Sequence, residues 1–272
     1  MEIAPDAGMG LVELSVSDIE RSIEYWRRAV GLRLLDRADG AATLGADVPL
    51  LRFVEEPGAR PADGYTGLYH VALLVPDRPS LARFLSHVAK ERIPLEGLSD
   101  HAVSEAIYLR DPDRHGIEVY ADRPRELWEG RVMQLMTTVP IDVHDLLAQA
   151  DGPFEGLPAG TTVGHVHFRV RDVDETVRFY RDVLGMGLMA QLGPAAAFLS
   201  AGGYHHHVGA NVWESRGAPP APPGTATLRH ATIVLPDEAE RDRLADAAGE
   251  AEEREDGLLV RDPSGNGLLL SA

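Results

Sequence analysis

His70, Glu118 and His165 are residues of types that bind metal ions, and they lie at the ends of strand-like segments that repeat along the chain. Two histidines and one carboxylate on one face of a mononuclear site leave coordination positions open on the metal. This ligand set is typical of iron(II) sites that bind a substrate together with O₂. The three residues are therefore candidate metal ligands.

The segment that contains Glu118 occurs twice. Leu109–Ala121 (LRDPDRHGIEVYA) returns as Val260–Ala272 (VRDPSGNGLLLSA), and Leu269 replaces the glutamate in the second copy. On alternation alone, Glu118 could equally be a solvent-facing residue of an apolar strand. Its position at the end of a repeated strand favours the interpretation as a metal ligand.

A strand followed by a helix also occurs twice. Leu11–Leu32 returns as His165–Met186, with Leu11 in the place of His165. The first part of each copy alternates apolar and polar residues as a half-buried strand does, and the second has apolar residues at helical spacing. Asp18 and Asp172 precede the helical parts and are predicted N-caps.

Two further segments, Leu68–Pro76 and Leu228–Pro236, are predicted strands that lead into the predicted helices Arg78–Lys90 and Glu238–Ala248. The pattern predicts an α+β fold made of four βαβββ units. The predicted units cover residues 8–55, 66–122, 162–214 and 226–272. We expect one domain over residues 1–122, a linker over 123–160 and a second domain over 161–272.

Composition excludes several functional classes. The chain has 272 residues, 44% of them hydrophobic, and a formal net charge of −17, which argues against binding to nucleic acid or to anionic membranes. No cysteine is present, so disulfides and thiolate chemistry are excluded. No apolar run is long enough to span a membrane, and the N-terminus lacks the regions of a signal peptide. We therefore expect a cytoplasmic protein.

Four such units, with a histidine opening the first strand and a DP turn before Glu118, resemble the vicinal oxygen chelate superfamily. Within it, the chain is most similar to two-domain type I extradiol dioxygenases of the catechol 2,3-dioxygenase kind. The resemblance implies curved, mostly antiparallel sheets. It also implies an enzyme that cleaves an aromatic diol with O₂ next to the two hydroxyl groups, with Fe(II) or alternatively Mn(II) as its metal. Homo-oligomers are common in this family.

The resemblance also assigns catalytic residues. In these dioxygenases a tyrosine lies ten residues before the ligand glutamate, as Tyr108 does here, and a histidine lies slightly upstream of it, as His101 does. The tyrosine would donate a hydrogen bond to the substrate, and His101 would assist substrate binding. His206 aligns best with the acid–base histidine of the family.

Four more histidines are candidate substrate-binding residues. His205 and His207 flank His206 and, if the segment is a strand, share the opposite face from it. His167 lies two residues after His165 on the same strand face, where a structural role is the alternative. His230 opens the predicted first strand of the fourth unit and could line the same pocket.

The order of the candidate ligands departs from that of the familiar enzymes, which take their ligands from the third and fourth units. Two arrangements are open. If units pair sequentially, each domain has an incomplete site, with His70 and Glu118 in one and His165 and His230 in the other. If unit two pairs with unit three, the two histidines and the carboxylate meet. We favour the second arrangement.

Two other functions remain open from the sequence. A glyoxalase-type metal-dependent isomerase or lyase would use the same scaffold without O₂, but it usually has a second glutamate ligand. A non-enzymatic protein that binds a drug or metabolite, as in bleomycin resistance, would need no buried metal site.

Overall fold

The computed structural model describes residues 2–272, in which four strand–helix–strand repeats follow one another. The elements of the first two repeats are β1 (Gly8–Val16), α1 (Ile19–Tyr25), β2 (Arg33–Ala38), β3 (Ala41–Gly45), β4 (Pro49–Glu55), β5 (Arg60–Pro61), β6 (Gly67–Leu74), α2 (Arg78–Glu91), β7 (Gly97–Asp100), β8 (Ser104–Arg110) and β9 (Gly116–Asp122). The connecting segment contains α3 (Val132–Leu135), β10 (Val139–Pro140) and α4 (Val143–Leu147).

The last two repeats have the same order of elements. They are β11 (Thr162–Arg169), α5 (Val173–Arg178), β12 (Gly187–Leu192), β13 (Ala196–Ser200), β14 (Val208–Asn211), β15 (Thr225–Ala226), β16 (Leu228–Val234), α6 (Glu238–Ala248), β17 (Glu252–Arg254), β18 (Gly257–Arg261) and β19 (Gly267–Ser271). The predicted α+β class is confirmed.

Aspartates begin the helices, as the sequence predicts. The side chain of Asp18 accepts a hydrogen bond from the backbone N–H of Arg21 at 3.0 Å, and that of Asp172 accepts one from Glu175 at 2.7 Å. Each bond satisfies one of the donors that the first turn of a helix leaves free. After these helices the chain makes one π-helical turn, at Trp26–Val30 and at Phe179–Val183, before the next strand.

Within residues 2–272 the strands form two large sheets and a small one. Sheet I has the order β17-β18-β19-β16-β1-β4-β3-β2, and sheet II has the order β10-β7-β8-β9-β6-β11-β14-β13-β12. Strands β5 and β15 form the small third sheet. Most neighbouring strands are antiparallel, with parallel pairs where the first and last strands of one unit meet.

The sheets combine non-consecutive units. At the centre of sheet II, β6 of unit two runs antiparallel to β11 of unit three. At the centre of sheet I, β1 of unit one runs antiparallel to β16 of unit four. The first and last units therefore share one sheet, and the two middle units share the other.

Buried carboxylates in the DP turns connect the two sheets. Asp111, which precedes β9 of sheet II, accepts a hydrogen bond at 3.2 Å from the indole of Trp26 at the end of the unit-one helix. Asp262, which precedes β19 of sheet I, lies 3.5 Å from the hydroxyl of Tyr180 of unit three. Burial raises the pKa of Asp262 to about 6. Each DP turn therefore contacts a helical segment that belongs to the other sheet: Asp111 of sheet II contacts unit one, and Asp262 of sheet I contacts unit three.

The connection that we predicted as a linker has structure of its own. Strand β10 pairs with β7 at the edge of sheet II, with Val139 opposite Asp100. Trp128 is 1% exposed and packs with Val103 and Val132. The segment thus covers one side of sheet II. Among the described residues, 2–272, no helix has the length and apolar character needed to cross a membrane.

Candidate metal centre

The three candidate ligands come together on neighbouring strands of sheet II. His70 lies on β6, Glu118 on β9 and His165 on β11, and β6 lies between the other two strands. Their side chains point to the same face and are buried, with exposed fractions of 6%, 2% and 1%. The three donor atoms therefore meet at one point although they come from two separate repeats.

The distances between the donor atoms fit a divalent metal ion. Glu118 Oε2 lies 3.0 Å from His70 Nε2 and 3.2 Å from His165 Nε2, and the two nitrogens are 3.3 Å apart. Ligand atoms about 2.1 Å from a metal and at right angles to each other lie about 3.0 Å apart. The three residues could thus hold a metal ion on one face and leave its other positions open.

The electrostatic environment also suits metal binding. Burial lowers the pKa of His165 to about 4, against the opposing attraction of Glu118, so the imidazole is neutral near pH 7. Neutral imidazole is the form that binds metal ions. Its Nδ1 atom is buried and has no hydrogen-bond partner. Two neutral imidazoles and a carboxylate suit Fe(II) and Mn(II) alike.

His167 lies beside the three ligands and opposite a glycine. Its ring centroid is 4.9 Å from that of His70, and its Nε2 atom is buried without a hydrogen-bond partner. On the neighbouring strand β14 its partner is Gly209, where a Cβ atom would lie 2.6 Å from His167 Nδ1. In unit two, Ala72 lies two residues after His70 and pairs with Glu118. In unit three, His167 lies two residues after His165 and pairs with Gly209, so Gly209 occupies the position equivalent to Glu118.

His206 packs directly on one of the candidate ligands. Its ring centroid is 4.0 Å from that of His165, and it lines the cavity above the ligands. Burial, followed by the neighbouring histidines His165 and His205, lowers the pKa of His206 well below its usual range. The imidazole is therefore neutral and has a lone pair with which to accept a proton.

The neighbours of His206 do not contact the cavity, which corrects the prediction that they bind substrate. Residues 205–207 lie in a loop before β14, so the alternation of a strand does not apply to them. His205 is fully buried and its Nε2 lies 2.9 Å from Asp122 Oδ1. His207 accepts a hydrogen bond from the backbone N–H of Ala201 at 3.2 Å. Both side chains are held by other contacts.

His230 also differs from its predicted place. It lies on β16 of sheet I, where its Nδ1 is 3.9 Å from Glu13, and it lines a different cavity. The expectation that it contacts the same substrate is therefore corrected. The reason is the strand pairing, which joins unit four to unit one.

Tyr108 and His101 form a hydrogen-bonded pair at the edge of the candidate site. His101 Nε2 lies 2.8 Å from the hydroxyl of Tyr108, and its Nδ1 lies 2.7 Å from the carbonyl of Thr137. Because a carbonyl can only accept, Nδ1–H of His101 donates to Thr137, and this bond fixes the orientation of the ring with Nε2 toward Tyr108. Burial and then the charge of Glu118 raise the pKa of Tyr108 well above its usual value, so it stays protonated.

The ligands and His206 open into a cavity of about 640 Å³. Side chains from the connecting segment and from unit three form much of its wall, and no motif in the sequence pointed to them. The main apolar residues are Met133, Met136, Leu192, Phe198 and Trp213. Trp213 packs against Tyr69 and His167, with ring centroids 5.3 and 5.8 Å away.

Comparison with known proteins agrees with this architecture. The model of the glyoxalase/bleomycin resistance protein/dioxygenase superfamily matches residues 8–119 and 162–270, which correspond to the two pairs of consecutive repeats. Among solved structures, a candidate dioxygenase from Bacillus subtilis is similar with a TM-score of 0.67 and 15% identity, covering 100% of this chain and 86% of that one. Glyoxalase I from Zea mays has a TM-score of 0.61 and 17% identity, with 98% and 92% covered. At these identities, the likeness concerns the fold.

A curated relative is much more similar in sequence. The catechol-2,3-dioxygenase of Bacillus subtilis (strain 168) is 42% identical over 275 aligned residues, which cover 96% of this chain and 95% of the relative. Because the family model matches both halves and this relative aligns along nearly the entire length, the chain belongs to the glyoxalase/bleomycin resistance protein/dioxygenase superfamily.

Proposed function

We propose that this protein is an extradiol dioxygenase, which cleaves a catechol-type ring with O₂ next to its two hydroxyl groups. The observation that carries the proposal is the set of three buried donor atoms of His70, Glu118 and His165, within 3.0–3.3 Å of one another at the floor of a cavity. The 42% identity to a catechol-2,3-dioxygenase supports it independently.

The ligand set leaves one face of a bound metal open toward the cavity, where a diol and O₂ could bind side by side. When bound, an Fe(II) ion would supply Lewis acidity toward the two hydroxyl groups of the diol and a route for electrons from the ring to O₂. Mn(II) would fit the same donors.

His206 is the proposed acid–base residue. Its neutral ring lies against His165, so its free nitrogen can accept the proton of a hydroxyl group that lies above the ligands. The imidazolium formed in this way can return the proton later in the reaction, because the lowered pKa of His206 makes its protonated form a good proton donor. Tyr108 would orient the substrate oxygen, and its partner His101 determines whether its hydroxyl group donates or accepts.

The surroundings of the ligands argue against glyoxalase chemistry. A second glutamate would come from the unit-three position equivalent to Glu118, and that residue is Gly209. The ring of His167 fills the space that a side chain would need there. A protein that only binds a metabolite has no use for three ionisable groups buried together, because burial of such groups without a partner destabilises the fold.

The experiment that tests the proposal is anaerobic reconstitution with Fe(II), followed by addition of catechol and air. We expect a yellow ring-fission product and uptake of one O₂ per catechol consumed. His165→Ala is the matched control, and it should lose both the metal and the activity. Full metal occupancy in that variant would contradict the ligand set. Stoichiometric iron without O₂ uptake, with any of several substituted catechols, would contradict the reaction.

A further inference from the structure

A chain of hydrogen bonds runs from the cavity to the end of β9. The Nδ1 atoms of His206 and His205 are 2.8 Å apart, and His205 Nε2 lies 2.9 Å from Asp122 Oδ1. Asp122 is four residues beyond Glu118 on the same strand, so both side chains share a face. The carboxylate is 26% exposed, whereas His205 has no exposed surface.

The chemistry of these groups determines where the protons lie. An ionised carboxylate can only accept, so the nitrogen of His205 that faces Asp122 carries a proton. When His205 is neutral, its other nitrogen is a bare acceptor, and His206 Nδ1 donates to it across the 2.8 Å contact. Neutral His206 has a single N–H, and therefore its Nε2 is left unprotonated on the side of the cavity.

We propose that Asp122 and His205 are positioning residues that hold His206 in the tautomer needed for a general base. The inference rests on the proposed function, because it deepens the role given to His206 there. A substrate hydroxyl would transfer its proton to Nε2 of His206, and the Nδ1–H···Nδ1 hydrogen bond would let His205 share the resulting positive charge beside Asp122. The proton on Nε2 of His206 would later return to the product, which leaves His206 neutral again.

Packing keeps the hydrogen-bonded residues Asp122, His205 and His206 in one arrangement. The ring of His205 packs against Tyr204 and Trp128, with centroids 4.0 and 5.5 Å away. The hydroxyl of Tyr204 also donates to Asp122 Oδ1, at 3.1 Å. Because His205 is fully buried against these two rings, its ring cannot turn without displacing Tyr204 or Trp128, and each of its nitrogens keeps its partner. The tautomer of His206 is therefore fixed by contacts outside the cavity.

The first test measures protonation directly. Two-dimensional ¹H–¹⁵N spectra of histidine-labelled protein, metal-free and loaded with diamagnetic Zn(II), distinguish protonated from bare ring nitrogens. We expect His206 to carry its proton on Nδ1 and His205 on Nε2. In Asp122→Asn the amide can donate to His205, so the two tautomers should reverse. His206 with its proton on Nε2 in the wild-type protein would overturn the proposal.

The second test is kinetic, on the Fe(II)-loaded enzyme. Asp122→Asn should lower kcat by about 10- to 100-fold, less than the loss expected for removing a general acid–base residue itself, and change KM by less than about twofold. His205→Phe, which keeps an aromatic ring against Tyr204 and Trp128, should lower kcat in the same way. Tyr204→Phe is the control, because it removes a hydrogen bond to the same carboxylate oxygen but leaves the bond to His205; its kcat should fall by less than about threefold.

A purely structural role for Asp122 predicts a different result. In that case Asp122→Asn would lower the unfolding temperature and leave both the His206 tautomer and kcat unchanged, which would overturn the proposal. If the wild-type enzyme shows no ring cleavage at all, the proposed function fails. The spectra would still decide whether Asp122 and His205 fix His206.

Discussion

The two large sheets place different residues at equivalent positions. Glu13 pairs with His230 and Arg52 in sheet I as His167 pairs with His70 and Gly209 in sheet II. By the same register, Thr232 pairs with Leu269 as Ala72 pairs with Glu118. The equivalent pairs are His230 with His70, Leu269 with Glu118, Leu11 with His165, Glu13 with His167, Arg52 with Gly209 and Arg229 with Tyr69.

Sheet I has a cavity of about 750 Å³ at this place, but its chemistry is opposite. Glu13 accepts hydrogen bonds from Arg229 at 2.8 Å and forms an ion pair with Arg52 at 3.2 Å. Two guanidinium groups next to one carboxylate repel a cation, and two of the three ligand positions are leucine. The backbone of the repeat therefore provides the geometry of a metal site, and side chains at three or four positions decide whether a metal binds.

The strongest test makes sheet II resemble sheet I. Glu118→Leu copies Leu269 and removes the carboxylate that faces both histidines. We expect metal affinity to fall by more than about 100-fold, beyond the loss typical of residues that only support a ligand, and ring cleavage to fall to background. Metal analysis after gel filtration measures the first effect. Leu269→Ala in sheet I is the control, and it should keep full metal content.

His206→Phe separates catalysis from metal binding. Phenylalanine keeps an aromatic ring against His165 and Phe198 but has no nitrogen to accept a proton. We expect a full equivalent of iron and a kcat lowered by about 100- to 1000-fold. Steady-state O₂ uptake and iron analysis of the same sample measure both. Turnover equal to that of the wild-type enzyme would assign the acid–base role to another residue.

The wall of the sheet II cavity predicts a preference for catechols with apolar substituents over those with a carboxylate. The sheet II cavity is lined by Met133, Met136 and Trp213, and Arg110 at its rim already pairs with Glu96 at 3.1 Å. A buried propyl group should therefore raise kcat/KM by about 50-fold over unsubstituted catechol, given about 0.8 kcal/mol per buried carbon. A carboxylate substituent should give no gain. Met136→Ala should reduce the advantage of the propyl group, and a higher kcat/KM for the carboxylated catechol would contradict this interpretation.

The reverse experiment builds ligands into sheet I. The variant Leu11→His with Leu269→Glu places two histidines and a carboxylate at the equivalent positions. We expect it to bind a second metal ion only weakly, because Arg52 and Arg229 remain next to the site. Adding Arg52→Gly, which copies Gly209, should tighten the second site by about tenfold. Calorimetric titration with Zn(II) measures the affinities of both sites. If the sheet I site without Arg52→Gly binds as tightly as the sheet II site, the arginines have no effect.

The smallest expected effect concerns acid stability. Burial lowers the pKa of His207 to about 4, below its value of about 6.5 in an unfolded chain. The unfolded state therefore binds more protons between these values, and stability is lost as the pH falls from about 6.5 toward 4. His207→Gln should flatten this dependence in urea unfolding of metal-free protein. His230→Gln should flatten it less, because Glu13 opposes the effect of burial on the pKa of His230.

The repeats in the sequence were sufficient to find the equivalent positions. Leu269 aligned with Glu118 and Leu11 with His165 from the letters alone, and strand registers give the same equivalences. Segments with the same local pattern form the same local structure, so residues that align between the repeats occupy equivalent positions in their strands. The prediction for His205 and His207 was wrong because the chain turns before β14, and a short polar run with glycines does not distinguish a loop from a strand end.

The sequence by itself determined the four repeats, their capped helices and the residue types able to bind a metal, because these depend on contacts within about fifty neighbouring residues. Only the tertiary structure decided that β6 pairs with β11, and this pairing brings Glu118 and His165 within 3.2 Å. It also decided that His230 lies elsewhere and that Asp122 reaches His205. Pairing between distant strands depends on which faces can be buried together, and several partners satisfy the same local pattern.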